Sequence, residues 1–218
     1  MKKNMKFLSV ALVGLIMASC SGETKTSEAE TNEVESKKPV TCMYSYSSEN
    51  TELNFTAYKF LGKTGVGGTF TNVIVKGEES QNAQEVIESL SFKIPISSIS
   101  TKDEGRDAKI EEHFFGTINT SEITGEVVGL DSLTNTMQLK ITMNEVSNDI
   151  TAKYTLKDGV FTIDAEIDVN DWNGNPGIVA LNEVCKELHT DVANGDTESK
   201  LWPDVSISFS TELKEKCD

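Results

Sequence analysis

The sequence predicts an all-β domain of eight antiparallel strands, each with one apolar face. Apolar residues recur at every second position in segment after segment beyond Pro39. Several of those segments are joined by short turn sequences, and helical spacing is confined to two brief stretches.

Leu53, Phe55 and Ala57 open the series, alternating with Asn54, Thr56 and Tyr58. The Gly-rich stretch from Val66 to Lys76, with Phe70 inside it, makes a second strand. Leu90, Phe92, Ile94 and Ile96 follow, with Pro95 on the opposite face, where it reads as an edge or a bulge. Ile123, Gly125, Val127 and Gly129 form the fourth strand, and Met137, Leu139, Ile141 and Met143 the fifth. Ile150, Ala152, Tyr154 and Leu156 form the sixth. Phe161, Ile163, Ala165, Ile167 and Val169 form the seventh, and Val205, Ile207 and Phe209, with Leu213 beyond Thr211, the last. Asp131 to Asn135 and Lys157-Asp158-Gly159 are turn sequences, and Asp-Gly is a strong hairpin signal, so strands four to seven read as neighbouring hairpins. Two segments carry the other period. Asp103 to Phe115 is charged, with Ile110 and Phe114 four apart, and predicts a short helix. Ile178, Leu181, Cys185 and Leu188 make one stripe of a helix starting after Pro176 and Gly177. Eight such strands close as a sandwich or a barrel. Closure removes exposed edges, and an eight-stranded barrel is just wide enough for a small ligand.

The chain ahead of this pattern reads as an address. Lys2, Lys3 and Lys6 precede an apolar run from Phe7 to Met17, too short for a bilayer span of about 20 residues. Ala18, Ser19 and Cys20 end it with small residues and a thiol, the arrangement of a processed export signal whose cysteine is lipidated; the alternative is an ordinary secretory signal cut near Ala18 or Ser19, with Cys20 incidental. Residues 21–39 contain one large apolar residue, Val34, and cannot bury enough surface to fold. As a flexible coil they span roughly 25 Å. The expected organisation is therefore a signal peptide over 1–19, a lipidated Cys20 with its tether over 20–39, and a folded domain over 40–218. Ser21, rather than Asp, after the anchor cysteine argues for a cell-envelope protein on the outer membrane, facing the periplasm.

Charge narrows the partners. The chain has 20 basic and 35 acidic side chains and a formal charge of −15. Removing Lys2, Lys3 and Lys6 with the signal leaves 17 against 35, near −18. Such a surface repels phosphate backbones and anionic headgroups, which argues against nucleic acid and against a basic membrane-docking patch. Attachment to the membrane is expected through the lipid at Cys20.

Motifs for chemistry are weak. Ala57 to Thr64 matches a relaxed phosphate-loop pattern, but Gly65 to Phe70 resume a strand where a helix would be needed. No Gly-x-Ser-x-Gly elbow exposes a serine, and neither His113 nor His189 stands at zinc-protease spacing or near paired cysteines. Glu78-Glu79 reads as a solvated face. No enzyme activity, cofactor or metal is expected.

The stretch Ser98 to Gly116 (SISTKDEGRDAKIEEHFFG) combines a strand ending in Ser-Ile-x-Thr, an Arg106-Asp107 pair and, beyond acidic residues, Phe114-Phe115. Val66-Gly67-Gly68-Thr69-Phe70 and Asp171-Trp172 sit at matching places around it. Together these resemble the YceI-like family, from about Tyr44 to Leu213. The sequence departs from that family at Tyr58-Lys59-Phe60, where a histidine is common. It departs again in a longer segment from Asn173 to Pro203, so the barrel mouth is expected to differ.

The resemblance implies a lipocalin-like barrel holding a long apolar lipid, a polyisoprenoid or similar, as ligand rather than cofactor. The inward faces then become a lining: Phe55, Ala57, Phe70, Phe92, Ile94, Val127, Leu139, Ile141, Phe161, Ile163, Ile207 and Phe209. The same phenylalanines could instead fill a dry core, leaving a barrel that serves as an interaction module on a lipid anchor. Ala57, Gly68, Gly125, Gly129, Ala152 and Ala165 on those faces favour a tunnel, because they leave space that a packed core avoids. Arg106-Asp107 reads as an ion pair or cap fixing its helix, with a ligand headgroup as the alternative. Lys59 and Lys63 are candidates to face an anionic headgroup, weighed against ordinary surface lysines. Barrel closure would bring Cys42, before the first strand, beside Cys217, after the last, predicting a Cys42–Cys217 disulfide with Cys185 a buried thiol. Protein partners are not legible.

Overall fold

The computed structural model describes residues 40–218; the signal segment, Cys20 and the tether up to Pro39 lie outside the described residues. The chain runs β1 (Cys42–Ser45), β2 (Glu52–Lys59), β3 (Thr64–Phe70), β4 (Ile74–Lys76), α1 (Ala83–Glu88), β5 (Ser91–Pro95) and β6 (Ile99–Ser100). It continues through α2 (Glu104–Lys109), a π-helix (Ile110–Phe115), β7 (Glu122–Asp131), β8 (Thr136–Met143), β9 (Val146–Lys157) and β10 (Val160–Asp168). Then come α3 (Asn175–Val184), β11 (Leu201–Glu212) and β12 (Lys214–Cys217), with 3-10 turns between them.

Ten strands form one antiparallel curled sheet in the order β4-β5-β7-β8-β9-β10-β11-β2-β3-β6, and β1 pairs with β12. This is an all-β half-barrel, and it corrects the expectation of eight strands in a closed barrel with two helices. Two expected strands each split in two. The Val66–Lys76 stretch bends at residues 71–73, so β3 pairs with β6 while β4 pairs with β5. The other break follows Pro95, which lacks an N–H, and a 3-10 turn over Ile96–Ser98 separates β5 from β6. No ladder joins β4 to β6, although the Thr71 N–H crosses the seam to the Ser98 carbonyl at 2.8 Å.

Turn chemistry holds the meander. Asn144-Glu145 and Asp158-Gly159 both have positive φ at their two central residues, the two-residue hairpin geometry that suits the twist of flanking strands. Between Val127 and Gly129 the β7–β8 register slips by one, which turns Leu130 toward the core and Gly129 away from it. The fourth-strand alternation expected to carry Gly129 inward therefore fails at this bulge.

The interior is unevenly packed. On β8 and β9, Met137, Leu139, Ile141, Met143, Ala152 and Tyr154 are buried. One end is plugged by α1, whose Asn82 cap accepts the Gln84 N–H at 2.9 Å and whose Val86 and Ile87 are 0% exposed. That end also carries the β1–β12 pair, where Cys42 bonds Cys217 across the first register pair. The opposite end is covered by the π-helix and α3. Phe114 and Phe115 are both buried there, Phe114 against Gly177 of α3. At Gly177 a Cβ would lie 2.8 Å from the Phe114 carbonyl oxygen, so glycine lets α3 lie directly on that helix. Cys185, at the end of α3, is a buried free thiol, whereas Leu188 is exposed and ends the expected stripe.

Candidate functional site

Within the curl lies a cavity of about 230 Å³. All twelve residues expected to face inward line it, from Phe55 and Ala57 on β2 to Ile207 and Phe209 on β11. Its wall is apolar throughout: among the described residues no charged or hydrogen-bonding side chain lines it except the Trp202 indole. That indole N–H is already used, donating to the Phe60 carbonyl at 2.7 Å.

All ten strands of the sheet contribute to the lining. Phe55, Phe70, Phe92, Val127, Ile163, Ile207 and Phe209 keep partial exposure, while Leu139, Ile141 and Met143 on β8 and Phe161 on β10 are buried. The phenylalanines pair along the wall rather than across it. Phe55 and Phe70 have ring centroids 5.6 Å apart, and Phe161 and Phe209 6.2 Å apart, each pair from adjoining strands.

Two glycines do a different job from the one expected. A Cβ on Gly68 would fall 2.3 Å from Phe55 Cζ, and one on Gly125 would fall 2.3 Å from Phe92 Cζ. Phe55 is the cross-strand partner of Gly68, and Phe92 of Gly125. Each ring therefore lies flat over its partner glycine, filling the missing side-chain volume, and the ring leaves the centre free. Gly129 faces away from the cavity, and Ala152 is packed in the core; Ala57 and Ala165 do line the space.

Alternation could not show every wall residue. Leu201 and Trp202 both line the cavity although they are consecutive, because the β11–β2 register slips between Leu201 and Val205, around Pro203. The Trp202-Pro203 pair was the available signal. Ile110, Phe114, Ile178 and Leu181 close the same end from the helices.

The polar candidates take structural places. Asp107 Oδ1 accepts from the Thr101 N–H at 2.8 Å and from the Thr101 hydroxyl at 2.6 Å, tying α2 to the end of β6. Arg106 pairs with Asp103 at 3.5 Å rather than with Asp107. Asp103 caps α2 by accepting the Arg106 N–H at 3.0 Å, which holds its carboxyl below the usual range. Residues 60–63 form the β2–β3 turn, with Phe60 and Lys63 at positive φ, so the phosphate-loop pattern feeds no helix. His113 lies on the π-helix 3.9 Å from Glu112. His189 is buried, its Nδ1 3.0 Å from Asn182 Oδ1, and its pKa is pushed down to about 4 by burial, then by Lys59 and Lys109.

The same fold occurs in solved structures. A polyisoprenoid binding domain from Saccharophagus degradans, implicated in plant cell wall breakdown, superposes with a TM-score of 0.54 at 15% identity, over 79% of this chain and 98% of that one. BcnA of Burkholderia cenocepacia gives 0.54 at 11% identity, over 78% and 99%. A YceI protein of Campylobacter jejuni is 20% identical over 73% and 89%, with a TM-score of 0.46. No curated protein matches the chain. The YceI-like domain model matches residues 44–213, from Tyr44 within β1 to the buried Leu213. With that match spanning the half-barrel and its cavity, the chain belongs to the YceI-like family.

Proposed function

We propose that this protein is a lipid carrier of the bacterial envelope, holding a polyisoprenoid or comparable long apolar chain inside the half-barrel. The observation that supports this is the cavity itself: about 230 Å³ walled by apolar side chains from all ten strands of the sheet. An engineered apolar void of about 150 Å³ stays dry and binds benzene, so a larger one with the same lining suits a hydrocarbon. Burial supplies about 0.8 kcal/mol for each methylene removed from water, and a long chain then needs no strong polar contact. The Saccharophagus degradans domain of the same fold, a polyisoprenoid binding domain, supports an isoprenoid as the chain.

In this reading no bond is made or broken, and the protein carries, stores or sequesters its guest. Cys20 is the lipidated residue, 1–19 its signal, and 20–39 a tether. The protein sits at the outer membrane, facing the periplasm. Metabolic labelling with a clickable fatty acid, lost in Cys20→Ser, tests the anchor.

Organic-solvent extraction of the purified protein followed by mass spectrometry tests the guest. One long-chain lipid per protein is expected, and a delipidated sample should take up added polyprenol. No stoichiometric lipid and no uptake would leave the alternative, a half-barrel displayed on an anchor that meets other envelope proteins through its acidic surface.

A further inference from the structure

Both ends of the half-barrel are covered by packed helices, so a long chain entering end-first would have to displace them. α1 plugs one end with Val86 and Ile87 at 0% exposure, beside the Cys42–Cys217 clasp of β1 and β12. At the other end Phe114 and Phe115 of the π-helix and Leu181 of α3 are buried. The break between β4 and β6 is stitched as well: the Thr71 N–H and hydroxyl both donate to the Ser98 carbonyl, at 2.8 and 3.1 Å.

The sheet itself parts between β9 and β10. Their ladder holds from Val160–Lys157 to Asp164–Lys153 and then stops. Beyond that point each strand runs on, paired only on its far side, β9 with β8 back to Val146 and β10 with β11 as far as Asp168. The sequence supplies a reason. The same register carried forward would set Ala165 against Ala152, Glu166 against Thr151 and Asp168 against Asp149. Two small side chains add little cross-strand contact, and like charges directly opposite weaken a pair. The seam is bounded at its far end. There the Asn148 side-chain amide donates to the Asp171 carbonyl at 2.6 Å, and the buried Trp172 indole donates to the Ile141 carbonyl at 2.9 Å. From Asn148 to Lys153 the seam runs roughly 17 Å at the usual strand rise.

This seam lies directly over the cavity. Ile150, Ala165 and Ile167 beside it line the cavity wall. On the outer face a groove of about 600 Å³ crosses it, lined by Thr151, Lys153, Asp164 and Glu166 among others. Phe55, Ala165 and Ile207 border both spaces. One layer of sheet therefore separates groove from cavity, and at the seam that layer is held by side chains rather than by a ladder. Parting it there breaks no ladder bond, whereas parting two paired strands strips their N–H and C=O groups of partners.

We infer that the β9–β10 seam is a side entrance to the cavity, through which a long hydrocarbon chain passes sideways from the outer groove. This inference rests on the carrier reading and deepens it by assigning the guest's route. Ile150 and Ile167 swing aside as the two strands bow apart. The fixed points at Lys153–Asp164 and Asn148–Asp171 then draw the strands back.

The test is to bridge the seam. Thr151 and Glu166 are exposed and stand opposite each other in the extended register. The double variant Thr151→Cys, Glu166→Cys is loaded with geranylgeraniol and then bridged by a short bis-maleimide, the bridge being verified by intact mass. Cys185 is buried and Cys42 is bonded to Cys217, and wild type given the same reagent should keep its rates. Release into excess vesicles, followed through the fluorescence of Trp202 in the cavity wall, should slow about tenfold or more on bridging. Empty protein bridged beforehand should load as slowly. Unchanged release from the bridged protein would overturn the side entrance and leave the carrier reading standing. Wild type that takes up neither geranylgeraniol nor polyprenol would overturn the carrier reading itself.

Discussion

Single residues decide how much room the half-barrel keeps. Phe55 can lie against the wall only because Gly68 beneath it has no side chain. Gly68→Ala should push the ring off its strand and into the cavity. The expected result is a loss of about 1–3 kcal/mol in urea unfolding together with less lipid recovered on extraction. His189 supplies a second residue-scale prediction. Its folded pKa of about 4 lies below the ordinary 6.5, so between those values the unfolded chain binds a proton that the native protein refuses. Stability from this group is complete above pH 6.5 and is lost as pH falls toward 4, on the order of 2–3 kcal/mol. Urea midpoints measured from pH 7 to 5, above the main carboxylate range, should fall in the wild type and stay flatter in His189→Gln.

At the scale of elements, the alternation of apolar and polar residues carried most of the sheet, because a strand with one wet face has little freedom in its pattern. The twelve wall residues follow from it. What escaped were places where the chain leaves the pattern for a local reason. The β7 bulge exchanges Gly129 for Leu130, the bend at residues 71–73 cuts one strand into two, and the bulge around Pro203 turns Trp202 inward beside Leu201. α1 spans six residues, too short to show a helical period, and β1 and β12 expose too little apolar sequence to be recognised. Their pairing is nevertheless where Cys42 and Cys217 meet, 175 residues apart in sequence. A cross-link closing so long a loop restricts the unfolded chain strongly. The double variant Cys42→Ser, Cys217→Ser should therefore lose about 2–5 kcal/mol, read from denaturant midpoints of the wild type under non-reducing and reducing conditions and of the variant.

For the whole molecule, the cavity within the curl is the main result: an interior lined by apolar side chains and left with room. Filling that room separates a carrier from a dry core. Ala57→Leu with Ala165→Leu should stabilise the delipidated protein by about 1–2 kcal/mol, since the added methyl groups enter existing space. The same variant should bind less polyprenol, and the gain in thermal midpoint on loading lipid should shrink with it. A destabilised variant would mean the two alanines already touch what faces them.

The uniformity of the wall has a last consequence. Among the described residues no side-chain donor or acceptor lines the interior except an indole already committed to Phe60, so an oxidised guest, its polar group left unpaired, is disfavoured. Among hydrocarbon chains the interior discriminates by girth and by reach, as a gauge does. Homologous chains differing by one isoprene unit should then be ranked by how long they stay, each added unit slowing departure until the chain outgrows the groove.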